Sequence, residues 1–231
     1  MLAYVGIPLI LAPLLLIYAM KRRQLRQLAF IDSYQFHPAL ERRVLAKYPH
    51  LSAQQLEMVF DGLRDYFHLC QRARRRMVAM PSQVVDVAWH EFILFTKAYS
   101  HFSRAAIGRY LHHTPTEAMR TPTLAQEGIK RAWRLACAKE AINPAKPHRL
   151  PLIFAIDGQL NIADGFKYSL DCQDRSSPNY GSGYCAGHIG CASGCGGDSG
   201  GTSDGGFFDG GGSDGGSSDG ASCGGGGCGG D

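Results

Sequence analysis

The chain has 231 residues, 45% of them apolar, with 24 Lys and Arg against 20 Asp and Glu for a formal net charge of +4. That length and apolar content suffice to bury one ordinary core and exclude a chain too polar to fold. No nucleic-acid motif accompanies the modest basicity, so charge alone gives no ground for a nucleic-acid partner.

Residues 1–20 carry no charged side chain and are dominated by Leu, Ile, Ala and Val. As a helix they have the length to cross a hydrocarbon layer of about 30 Å, and the expectation is a transmembrane anchor. Pro8 and Pro13 do not oppose this, because membrane helices tolerate proline. Lys21, Arg22, Arg23 and Arg26 follow the apolar run instead of preceding it, which argues for retention over cleavage as a signal peptide. The positive-inside rule then predicts a single-pass protein with the bulk of the chain cytoplasmic and Lys21–Arg26 near anionic lipid. The competing reading of residues 1–20 is an apolar helix buried in the core.

Pro38 suits a first helical turn, and Leu40, Val44 and Leu45 make an apolar stripe ending at Tyr48-Pro49. Ser52 and Gln55 have capping-box spacing, opening a helix through Leu56, Phe60, Leu63, Phe67 and Cys70. Its last turn is basic, with Arg72, Arg74, Arg75 and Arg76, which complements the helix dipole. Pro81-Ser82 opens the next helix, with Val85, Trp89, Phe92, Ile93 and Thr96 on its apolar face, expected to run to about Ser103. Thr123 with Gln126 starts another, through Trp133 to about Ile142, before Asn143-Pro144. Leu152-Ile-Phe-Ala-Ile156, the Asp157-Gly158 turn signal and the stretch from Leu160 to Tyr168 read as a small β-hairpin-like element.

Beyond Asp171 the composition changes. All Lys and Arg precede Gly181, whereas 23 of the 29 glycines and six Asp lie at or after it. The first 180 residues therefore carry a formal charge of +10 and the remainder is acidic. Asp204, Asp209, Asp214 and Asp219 recur every five residues, unlike the nine-residue period of calcium-binding β-rolls. Such a low-complexity tail is expected to be disordered, with too little apolar content to build a core, and is read as the surface for an unknown protein partner. The fold class expected is mainly α. The anchor covers 1–20, a basic juxtamembrane segment and first helix 21–50, a helical domain with the β element 51–172, and the Gly/Ser/Asp/Cys-rich tail 173–231.

The densest chemical signal is Asp86-Val-Ala-Trp89-His90, followed by Tyr99 and by His112-His113-Thr-Pro115. Asp86 and His90, four apart, share one helix face, where a carboxylate can orient an imidazole or join it on a metal. A turn near Gly108 that returned the His pair to this helix would assemble ligands suited to a divalent metal such as zinc, iron or manganese. Adjacent side chains diverge, so only one of His112 and His113 is expected to face the ion. Trp89 and Tyr99 are the candidate residues behind the ligands, Tyr99 as donor or proton carrier. The alternatives are a buried polar network and metal-free acid–base chemistry. His101, about 16 Å along the same helix from His90, cannot share the ion.

A second candidate is Cys185, His188, Cys191 and Cys195, with Cys172 upstream, whose spacing could close around zinc; the competing reading is low-complexity composition. Cys70 and Cys137 read as core thiols, and His37, His50, His68 and His148 as surface or capping residues. No phosphate loop, Gly-x-Ser-x-Gly elbow, dinucleotide fingerprint or metalloprotease helix motif occurs: Leu94 stands where the last would need its second His.

The Asp-x-x-Trp-His segment, the Phe92–Tyr99 stretch, Gly108-Arg-Tyr-Leu-His-His-Thr-Pro115, Leu150-Pro-Leu-Ile-Phe154 and the Gly/Cys tail together resemble the glycine-rich domain-containing protein-like family over roughly residues 50–231. The resemblance implies a domain type and a site location, not a reaction, and does not include the N-terminal stretch. The leading functional expectation is a membrane-anchored binding or assembly module. The alternative is a metal-binding protein or metal-dependent enzyme using Asp86, His90 and His112 or His113.

Overall fold

A computed structural model describes residues 3–113, 122–170, 184–186 and 189. Among them are seven helices and one pair of two-residue strands. They are α1 (Ala3–Ser33), α2 (Pro38–Lys47), α3 (Ala53–Ala73), α4 (Gln83–Ile93), α5 (Thr96–Ile107), α6 (Pro122–Lys139) and α7 (Leu152–Gln159), then β1 (Tyr168–Ser169) and β2 (Tyr184–Cys185).

The helix starts follow local chemistry. His37 caps α2 by accepting from the Ala39 amide at 3.0 Å, ahead of Pro38 in the first turn. Ser52 and Gln55 form the reciprocal capping box, with the Ser52 amide donating to Gln55 Oε1 at 2.8 Å and the Gln55 amide to Ser52 Oγ at 3.3 Å. From Tyr66 to Gln71 every residue of α3 is buried. A helix buried all round must be central, and α3 contacts α1, α2, α4, α5, α6 and α7. Aromatic rings join these layers: Tyr34 of α1's exit and Phe67 of α3 each lie 4.6 Å from Phe102 of α5, and Phe92 of α4 lies 5.3 Å from Tyr99.

Close approach of α3 and α4 depends on Gly62, where an added Cβ would meet Val85 Cγ2 at 2.9 Å. Gly62→Ala is therefore expected to lower unfolding stability by about 1–3 kcal/mol, read by denaturant titration, despite alanine's better helix propensity.

The transmembrane anchor expected over residues 1–20 is not what the fold contains. Among the described residues no helix is long and apolar enough to cross a membrane. The apolar run is instead the front of α1, which continues without a break through Lys21, Arg22, Arg23 and Arg26 and delivers Ile31, fully buried, to the core. The single-pass membrane localisation is overturned with it, and the cytoplasmic placement of the bulk of the chain loses the anchor from which it was derived.

Two further expectations change. The apolar run from Leu152 to Ile156 is helix α7, not a strand; Ile153, Phe154, Ile156 and Asp157 are its buried face, and Glu140 Oε1 accepts from the Leu152 amide at 2.7 Å at its start. A five-residue apolar run carries too little periodicity to separate helix from strand. The β structure consists instead of a parallel pairing of Tyr168 with Tyr184 and Ser169 with Cys185. The helix expected to run to Ser103 is interrupted at Leu94 and Phe95, dividing α4 from α5. The low-complexity tail and its five-residue repeat lie outside the described residues.

Candidate metal centre

The break between α4 and α5 creates the site. In one straight helix Trp89 and Tyr99 would stand about 15 Å apart along the axis. With α5 turned back beside α4, Trp89 Nε1 donates to the Tyr99 hydroxyl at 3.1 Å. The Tyr99 hydroxyl in turn donates to the Leu111 carbonyl. α5 ends at Gly108, whose φ of +82° is the left-handed conformation that favours glycine. The following segment returns along α4, pinned at Leu111 by Tyr99, and presents His113 to the helix.

Asp86 lies at the meeting point. Its Oδ1 is hydrogen-bonded to His113 Nε2 at 3.1 Å, and its Oδ2 is 3.1 Å from His90 Nδ1. The two imidazole centroids are 4.0 Å apart, and Trp89 meets the His113 ring at 4.5 Å, edge-on. Ligating atoms from all three residues lie within 4.8 Å of one another. The two 3.1 Å contacts use different Asp86 oxygens, so the three residues would close on one ion by drawing in toward the roughly 3.3 Å ligand separation of a tetrahedral site with bonds of about 2.0–2.1 Å. Two imidazoles and one carboxylate are a donor set suited to zinc or to non-haem iron.

Exposure gives the centre a direction. The His113 and Asp86 side chains are 13% and 22% exposed, whereas His90 is 48% exposed. The cluster is closed on the Trp89 side and open at His90, where coordination positions not filled by protein would face water. Glu91, next to His90, is engaged with Arg43.

Of the sequence candidates, the fold brings together Asp86, His90 and His113 and leaves out His112, which is exposed and packs against Tyr110 at 4.8 Å. His101 is exposed on α5. Cys185 is buried and disulfide-bonded, and a bonded sulfur offers no thiolate; His188, Cys191 and Cys195 lie outside the described residues. Cys70 and Cys137 are buried free thiols, pushed up to about 12 and about 11 by burial and so unreactive at neutral pH. His37 and His50 make capping or backbone contacts, but His68 is buried, with Nε2 at 2.7 Å from Asp32 Oδ1.

Tyr99 acts through Leu111. Burial pushes its phenol up to about 12, the first and largest cause, so it remains a donor across the neutral range. Tyr99→Phe removes both hydroxyl bonds that position the His113 segment. It is expected to cost about 1–2 kcal/mol of stability in denaturant titration and to weaken metal binding by about tenfold in a competition assay with a chromogenic chelator.

Asp157 is the residue that sequence reasoning missed. The Asp157-Gly158 pair resembles a turn, yet Asp157 is 1% exposed on α7. Its Oδ1 accepts from Ser82 Oγ at 2.7 Å and from the Val84 amide at 3.1 Å; its Oδ2 accepts from the Gln83 amide at 2.7 Å and the Phe166 amide at 2.9 Å. It satisfies the first-turn amides of α4, the helix that carries Asp86 and His90. No local signal could reveal this, because α7 and α4 meet only in the fold.

No curated protein and no solved structure matches the chain. A family defined by its sequence model, the UCP032817-like family, matches residues 26–189, a stretch that contains the whole cluster and stops short of the Asp-rich tail. The chain therefore belongs to the UCP032817-like family, an uncharacterised one.

Proposed function

We propose that this protein binds a divalent metal ion through Asp86, His90 and His113. The observation that carries the reading is the convergence, within 4.8 Å, of three ligating atoms drawn from α4 and from the segment beyond α5. Three protein ligands leave room for water or a substrate atom, the arrangement used by catalytic metal sites. The exposed His90 side is where such a molecule would enter. The donor set favours zinc or iron over calcium or magnesium, which prefer oxygen.

The Asp-x-x-Trp-His and His-His-x-Pro segments also support kinship with glycine-rich domain-containing protein-like members, in which these segments would supply the same centre. An assembly role for the tail draws on its composition alone, and the geometry favours the metal reading. Elemental analysis of the untagged full chain, prepared without chelator, tests it: about one zinc or iron per chain is expected. A folded chain that neither carries metal nor takes up added zinc or iron(II) would sink the proposal.

A further inference from the structure

The basic residues of this protein are neutralised unevenly. Among the described residues, the Arg and Lys side chains in ion pairs with carboxylates are Arg43, Arg64, Arg131, Lys139 and Arg149. Four of them lie away from the corner where α1, the end of α3 and the segment after α5 meet, and Arg131, paired with Glu127, borders it through its bond to the Met77 carbonyl. Three contacts define that corner. Gln71 Nε2 of α3 donates to Gln27 Oε1 of α1 at 3.2 Å, and Arg109 Nη2 donates to the Arg74 carbonyl at 2.9 Å. Arg23 rests against Gly108, where a Cβ would meet its Nη2 at 2.9 Å.

Residues 12–31, 66–85 and 92–113, which build the corner, contain no Asp or Glu. Arg23, Arg26, Arg74, Arg75 and Arg76 are exposed there, and Arg109 is half-buried. The nearest carboxylate along α1, Asp32, is held by His68 at 2.7 Å. Ordinary surfaces intersperse both signs, whereas a one-sign field concentrates counter-ions. Arg74 adds an independent observation. Its φ of 58° with ψ of −106° is a backbone conformation that side-chain-bearing residues rarely adopt and that glycine would occupy with less strain. Strain of this kind, on the order of 1–3 kcal/mol, concentrates at functional sites.

We propose that this corner binds a small, multiply charged phosphate compound, an oligophosphate or polyphosphorylated ester, distinct from any ligand of the metal centre. Guanidinium is the side chain suited to it, because its planar fork matches phosphate oxygens two at a time. Exposed guanidinium groups from two elements, Arg23 and Arg75 or Arg76, exceed what a single phosphate needs but suit a chain of them, with the charge of Arg109 beside them while its two Nη atoms donate to the Tyr110 and Arg74 carbonyls.

The test is calorimetric titration of the full chain with inorganic tripolyphosphate at fixed ionic strength, in buffer without added metal. Saturable one-to-one binding is expected, with orthophosphate at least about tenfold weaker. Arg23→Gln with Arg75→Gln should weaken tripolyphosphate binding by about tenfold or more, while Lys130→Gln with Lys146→Gln, which removes equal charge elsewhere, should leave it unchanged. If the Arg23 variant folds poorly, Arg75→Gln with Arg76→Gln supplies the same readout. Absence of saturable binding, or equal weakening by the two charge-matched pairs, would overturn the proposal. So would retention only on phosphatidylcholine vesicles carrying a polyphosphorylated headgroup, without competition by tripolyphosphate, since the source would then be a lipid. None of these variants touches Asp86, His90 or His113, so weakening confined to the arginine pairs separates this corner from tripolyphosphate taken up at a metal ion.

Discussion

Replacing His113 by alanine is expected to strip the protein of its metal, whereas the same change at His112 leaves metal content at the wild-type value. The two residues are neighbours, alike in composition and equally candidates by sequence, so general effects on charge or solubility cancel between the variants. Only His113 reaches Asp86, at 3.1 Å; His112 is exposed and turned against Tyr110. Loss of an orienting partner costs metal sites about 10–100-fold in affinity, and loss of a ligand should exceed about 100-fold. The His113 side chain is mostly buried against Trp89, so its removal will also lower stability; far-UV circular dichroism establishes that the variant is folded when metal is counted. Because imidazole must be neutral to ligate, retention by the wild-type protein should fall as the solution is acidified. Equal metal content in the two variants would remove His113 from the site.

The largest stability effect is expected at Asp157. Asp157→Ala leaves the Ser82 hydroxyl and the Gln83, Val84 and Phe166 amides without their acceptor, three of these donors belonging to the start of α4. Orphaned buried donors cost about 1–3 kcal/mol each before relaxation and water entry, so a net loss of about 3–5 kcal/mol is expected in urea titration. Asp157→Asn retains one acceptor oxygen and should lose roughly half as much. Burial pushes the Asp157 carboxyl above the ordinary carboxylate range, and the four donors pull it only part of the way back. A carboxyl with a raised folded-state pKa contributes stability that is fully present below its unfolded value and is lost as pH rises through the folded value. The stability advantage of wild type over Asp157→Asn should therefore shrink as pH climbs from below the ordinary carboxylate range through the raised value. An advantage that grows over that interval would show that the donors, not burial, dominate. Since α4 carries Asp86 and His90, the alanine variant should also bind metal less tightly in whatever fraction stays folded.

Several features were legible in the chain before folding is considered. The capping box at Ser52 and Gln55, the cap ahead of Pro38, the mainly helical class and the shared face of Asp86 and His90 follow from interactions within four residues, which helix geometry fixes wherever the helix ends up. Other features were decided by contacts between distant parts of the chain. Nothing local marks a break at Leu94-Phe95; it exists because Tyr99 is bonded to Trp89 and Leu111 and packs on Phe92. Whether Leu152–Ile156 became strand or helix depended on neighbours for Ile153 and Phe154, and whether residues 1–20 stood apart depended on α1 continuing into the core. Sequence determined which residues could ligate a metal, through their chemistry and spacing on one helix. Tertiary structure alone decided that His113 and not His112 joins them, and that Asp157 anchors their helix, because these pairings link atoms far apart in the chain and close only when helices pack.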